Sequence, residues 1–205
     1  LPIRTSQIVM GKYFALLTVY LVPLCIVAVY PLIFAQFGEV YLPTSYGSLF
    51  AFFMMGAAMI AAGTFISSLT ENQGFAAGIA VPVILLNYYS VTLAEYVSAT
   101  ASGSAAALIV IAVLLGFVIR HLTKNQNLAY GISILIMLSV VIIYFADSSR
   151  FEGLLPDIMT KLSLFERFYT FVNGVFDLTA IIYYITVIIF FLFLSVQSLE
   201  KRRYN

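Results

Sequence analysis

His121 and Cys25 are the only histidine and cysteine in the sequence. They could support nucleophilic or metal chemistry only if brought together with each other or with carboxylates. His121 follows Arg120 at the end of an apolar run, where a solvated imidazole is expected. Cys25 is expected to be buried in a different apolar run and has no second cysteine to pair with. The sequence holds no HExxH, no GxSxG and no paired aspartates within an apolar run, so the usual machinery of intramembrane proteolysis and lipid hydrolysis is missing. It has no GxxxxGK[ST] loop either, so ATP hydrolysis is not expected of this chain. No catalytic, cofactor-binding or metal-ligating residue is assigned.

The charged residues carry the next inference. Every Asp, Glu, Lys and Arg falls at the end of an apolar run or between two runs. Ion-coupled carriers keep ionisable groups inside their spans, because coupling needs a charge that changes along the path. If this chain moves a solute uphill, the energy is expected from a partner outside the membrane.

The elements that position these residues are membrane helices. With 62% hydrophobic and 9% charged residues, the chain departs from the soluble average of about 25% charged. A net charge of +1 gives no reason to expect a nucleic-acid partner. The pattern predicts an all-α polytopic bundle with six spans, at about residues 13–37, 48–69, 75–93, 105–119, 128–145 and 178–198. Residues 1–12 read as a polar lead in which Thr5 or Ser6 caps a helix running into the membrane. Pro23 and Pro31 predict a bend in the first span. Residues 43–47 and 98–104 read as loops. Gly56, Ala57, Ala58, Ala61, Ala62 and Gly63 predict that the second span packs closely in the middle of the bundle. Asn87, the one amide well inside an apolar run, either bonds across a helix interface or lines a passage.

Six spans put both ends on one side. Arg4, Lys12, Arg120, Lys124, Lys201, Arg202 and Arg203, seven of the ten basic residues, then fall on that side, which the positive-inside rule makes the cytosol. Arg150, Lys161 and Arg167 fall in one long outer segment, residues 146–176. There Pro156 suits a helix start, and Asp157 precedes Lys161 by one turn. Leu154, Leu155, Ile158 and Leu162, then Phe165, Phe168 and Val172, repeat at helical spacing. A broken amphipathic helix at the outer leaflet is expected.

Four stretches resemble those of one family: Leu1-Pro2-Ile3 through Gly11-Lys12; Ala61 to Gln73, ending Ser67-Ser68-Leu69-Thr70-Glu71-Asn72-Gln73; Phe165 to Asp177 with Arg167, Phe168 and Gly174; and Leu192-Phe193-Leu194 through Leu199-Glu200-Lys201-Arg202-Arg203. In order and together they resemble the permease subunit of bacterial ABC-2 type exporters, in the branch of the gliding-motility and nitrous-oxide-maturation permeases. The resemblance implies a multi-pass subunit of the bacterial cytoplasmic membrane, with about two further spans upstream of Leu1. It implies a second permease copy or paralogue and separate cytosolic ATP-binding subunits that hold ATP and Mg. Arg4, Thr5, Ser6, Gln7, Ile8, Met10 and Lys12 would then lie at the ATPase-coupling contact. Thr70, Glu71, Asn72 and Gln73 would be a second contact or a plain polar turn. Phe165, Arg167, Phe168, Gly174 and Asp177 would belong to an external gate. An ATP-independent carrier or channel is the alternative. The cargo and the choice between homodimer and heterodimer stay open.

Overall fold

A computed structural model of the chain describes residues 4–123 and 126–204. Leu1, Pro2, Ile3 and Lys124 lie outside the described residues, as do the side chains of His121 and Arg203. The described chain is all-helical, at 86% helix with no strand among those residues. The helices are α1 (Thr5–Val27), α2 (Tyr30–Phe34), α3 (Leu42–Leu69), α4 (Gln73–Tyr96), α5 (Ala101–Thr123), α6 (Gln126–Ala146), α7 (Leu154–Leu162), α8 (Leu164–Val172) and α9 (Leu178–Tyr204). Four stretches are long and apolar enough to cross a membrane: Thr5–Phe34, Leu42–Leu69, Gln73–Tyr96 and Leu178–Arg202. The two remaining expected spans fall on α5 and α6, whose described apolar stretches, Ala101–Phe117 and Tyr130–Ala146, are shorter.

The helices form two compact units. One comprises the chain to Tyr88 together with Leu164 onward, and the other is Tyr89–Ser163. In the first unit, α3 is the central helix and packs against α1, α2, α8 and α9. Its small residues explain this: Ala51, Ala58 and Ala61 are fully buried and let α9 approach closely, so Ala180 and Tyr184 of α9 reach the same core as Met55, Leu164 and Phe171.

Tyrosines fasten α1 to α3. Tyr13 donates to the Ala57 carbonyl at 3.3 Å, Tyr20 to the Phe52 carbonyl at 2.9 Å, and Tyr46 to the Ala28 carbonyl at 3.1 Å. The third of these lies where α1 ends. Leu32 N–H bonds to the Val29 carbonyl rather than to that of Ala28, and Tyr46 serves the acceptor left over. The expected proline bend is therefore a break at Ala28 and Val29, five residues past Pro23, with Pro31 in the first turn of α2.

Gly56 permits the Tyr20 contact, because a Cβ there would come within 2.3 Å of the Tyr20 ring. Gly56→Ala is therefore expected to expel the ring and its hydrogen bond, destabilising the unit by about 1–3 kcal/mol. A lowered melting temperature of the detergent-solubilised chain, partly restored by adding Tyr20→Ala, is the check.

Several local expectations change. The α1 N-cap is Arg4, not Thr5 or Ser6, while the helix from Thr5 runs on into the first span as expected. Residues 43–47 are the opening turns of α3 rather than loop, since proline is tolerated in a first turn where no N–H partner is needed. Residues 101–104 belong to α5. The Thr100 hydroxyl, accepting from Gly103 N–H at 3.2 Å, starts that helix four residues earlier than apolarity alone indicates. Gln73 opens α4 instead of closing a loop. Cys25 is exposed rather than buried.

In the second unit α5 and α6 pack on each other around Ala105, Val140 and Phe151. A 3-10 turn, Ser148–Phe151, follows α6, and then α7 with its Lys161–Asp157 pair at 2.7 Å. The Ser149 hydroxyl and then the Arg150 guanidinium donate to Asp147 and hold its carboxyl below the usual aspartate range. A depressed carboxylate contributes order above its ordinary pKa and loses it as pH falls through the lowered value. Protection factors in residues 148–151, which are corrected for the intrinsic slowing of amide exchange in acid, should therefore fall at acid pH, and Asp147→Asn should remove that fall.

Candidate functional site

The first of the two regions that hold the candidate residues lies at one end of the first unit, where three chain-distant stretches meet. Thr5, Val9 and Tyr13 are spaced one turn apart and turned inward; Val9 and Tyr13 pack with Ala61 and Leu192. The Lys12 ammonium donates to the Ser67 hydroxyl at 3.0 Å. From the carboxyl end, Ser198 donates to the Ser68 carbonyl at 3.1 Å and Arg202 to the same oxygen at 3.3 Å. Arg202 also pairs with Glu71 at 2.9 Å. Ser68 O is among the last four carbonyls of α3, which lack an intrahelical partner, so a hydroxyl and a cation there satisfy the helix end and its negative dipole.

Local structure occupies several of the candidate residues. Gln7 accepts the Arg4 N–H at 3.1 Å and so caps α1. Asn72 Oδ1 accepts the N–H groups of Gly74 and Phe75 at 2.9 and 3.2 Å, making it the N-cap of α4, while its own N–H donates to Thr70 Oγ1 at 3.2 Å. Thr5 is buried. What the end presents outward is Ser6, Ile8, Met10 and Gln73, with Ile8 and Met10 exposed by 53% and 40%. Ile8 and Met10 flank the buried Val9 on either side of α1, so each offers another protein an exposed apolar contact beside the packed face.

The second region is α8 with the start of α9. Leu164, the first residue of α8, is held on both sides. Its N–H donates to Asn87 Oδ1 at 3.0 Å, and its carbonyl accepts from the buried Tyr184 hydroxyl at 2.8 Å. Asn87 thus makes a bond from α4 to the backbone of α8. The far end of α8 is tied to α3, where the Ser48 hydroxyl lies 3.1 Å from the Phe171 carbonyl.

Phe165 meets Tyr88 edge-on at 4.9 Å, Phe168 packs on Phe52 at 5.9 Å, and the Arg167 guanidinium lies 4.9 Å above the Tyr183 ring. Gly174, at φ 81°, closes α8 with the Gly174 N–H to Phe171 O and Val175 N–H to Thr170 O bonds of a Schellman stop. Asp177 is the N-cap of α9, accepting from Thr179 N–H at 2.8 Å. These two residues shape backbone, whereas Phe165, Arg167 and Phe168 make the contacts.

Sequence reasoning did not single out Tyr184, Ser48, Ser198 or Tyr183. Each acts on a backbone carbonyl or a cation far away in the chain, and no short motif marks such a pairing. Among the described residues no group of three or more His, Cys, Asp or Glu gathers. Comparison with known proteins adds no relative: no family model, no curated protein and no solved structure matches this chain.

Proposed function

We propose that this chain is the transmembrane permease subunit of an ATP-driven ABC-2 type exporter in the bacterial cytoplasmic membrane. It would span the membrane six times with both ends in the cytosol. Separate cytosolic subunits would bind ATP and Mg, and a second permease copy or paralogue would complete the path. The observation that supports the reading is the meeting, at one end of the first unit, of three of the four stretches on which the family resemblance rests, the three that the reading assigns to the cytosol. Lys12 joins Ser67, Arg202 joins Ser68 and Glu71, and Ile8 with Met10 remain outward.

The proposed mechanism is mechanical. A push on Ile8 and Met10 travels along α1, which is continuous to Val27 and fastened to α3 by Tyr13 and Tyr20. The stretch from Ser67 to Ser48 on α3 spans roughly 30 Å at 1.5 Å per residue, about one hydrocarbon thickness. Ser48 and Phe52 then pass the displacement to α8 through Phe171 and Phe168.

The test is co-expression with the ATP-binding protein encoded beside the gene, purification in mild detergent and reconstitution. Co-elution and ATP hydrolysis stimulated by the permease are expected. Flux through the chain reconstituted alone, without ATP, would overturn the reading in favour of a carrier or channel.

A further inference from the structure

We propose that the first unit holds a lipid acyl chain in the cavity between the α1 to α2 break, the opening turns of α3, and α8. The cavity has a volume of about 510 Å³, and its walls include Val27, Tyr30, Phe34, Leu49, Phe52 and Phe168. It therefore falls in the size range of small-molecule sites, roughly 300–1,000 Å³.

The hydrogen-bonding state of the walls selects the occupant. The Ser48 hydroxyl is engaged by the Thr44 and Phe171 carbonyls at 2.8 and 3.1 Å, and the Ser45 hydroxyl by the Tyr41 carbonyl at 3.2 Å. That leaves the Tyr30 hydroxyl, which bonds to none of the described residues, as the donor the walls can offer. A peptide lodged here would bury amides without partners, each costing about 1–3 kcal/mol, whereas a methylene chain asks for no partner. One unengaged donor among the walls suits a single ester oxygen.

Location points the same way. The helices that wall the cavity belong to Thr5–Phe34 and Leu42–Leu69, both long and apolar enough to cross a membrane, so hydrocarbon is the medium beside its mouth. The amphipathic α8 packs across the opening turns of α3, with Phe168 and Phe171 turned inward, as a helix lying in the interfacial plane does. The cavity thus sits at the depth of the upper acyl carbons. This inference needs a membrane location for α1 to α3 with α8 at its interface, and does not rest on the exporter reading.

The test places a benzophenone-bearing phenylalanine at position 34 of the full chain, reconstituted in vesicles of phosphatidylethanolamine and phosphatidylglycerol. The same residue at Phe190, an exposed α9 position, is the reference. After illumination, the position-34 protein should carry a phospholipid mass adduct in several-fold higher yield than the reference, and Val27→Trp, which fills the cavity, should cut that yield at least fivefold. Leu49→Trp serves if Val27→Trp fails to elute as a single species. Equal yields at the two positions, a yield unmoved by either filling variant, or a cross-linked band at twice the chain mass, which would mean a second copy occupies the cavity, each overturns the proposal.

Discussion

Ile8→Asp combined with Met10→Asp is expected to lower co-purification of the ATP-binding subunit at least tenfold, and with it stimulated ATP hydrolysis, while insertion and melting behaviour stay unchanged. A tenfold loss is about 1.4 kcal/mol. A carboxylate trapped without a partner in an apolar contact costs more than that, so the double change has ample leverage if these side chains sit in a docked interface. On the free chain the same change is mild. Both residues are exposed, and surface substitutions away from packing features usually stay within about 0.5 kcal/mol.

Val9→Asp, one position away, supplies the contrast. Val9 is 2% exposed against Ala61 and Leu192, so a carboxylate there should collapse that end of the unit and lose binding and melting together. Deleting the first twelve residues would confuse the two effects, because it removes Thr5 and Val9 from the core along with the exposed pair. Normal transport and ATPase binding by the Ile8, Met10 double variant would sink the coupling role.

Much of the fold was legible because length and apolarity alone separate a membrane-length helix from its surroundings. The α7 salt bridge was readable from its four-residue spacing, as was the burial of α3 from its run of small residues. Boundaries were less legible where one residue type has two uses. Pro43 and Gly47 read as loop, yet a proline near a helix start and a glycine within an apolar helix are both compatible with α3. Asn72 read as part of a second partner contact or of a plain polar turn, and neither reading marked its carboxamide as the cap of α4.

The candidate site was legible only in outline. Side chains can be paired by spacing when they share a helix. Ser198 and Arg202 instead reach a carbonyl of Ser68, 130 and 134 residues away, and every residue has a carbonyl. The same holds for Tyr184 and Leu164. Polar side chains in an apolar chain announce that they need a partner without saying which backbone group will supply it.

Loosening Leu164 is expected to be the most informative change at the opposite end of the first unit. Tyr184→Phe removes the hydroxyl that serves the Leu164 carbonyl, and Asn87→Leu removes the acceptor of its N–H at nearly constant volume. Each leaves a backbone group in a largely apolar setting without that partner, at about 1–3 kcal/mol. Amide exchange over residues 164–168 should therefore quicken by roughly 5- to 150-fold in either variant, while residues 130–146, in the other unit, keep their protection. Because both bonds converge on one residue, the two changes should be non-additive. Once α8 is freed by the first, the second should cost less, leaving a coupling of about 0.5–3 kcal/mol in a double-mutant cycle. Unchanged exchange in both variants would mean that α8 is held by its aromatic contacts, Phe165 on Tyr88 and Phe168 on Phe52, and that Asn87 is dispensable to its position. Faster exchange together with a raised passive leak in reconstituted vesicles would tie the position of α8 to closure of the path, which fold stability alone does not predict.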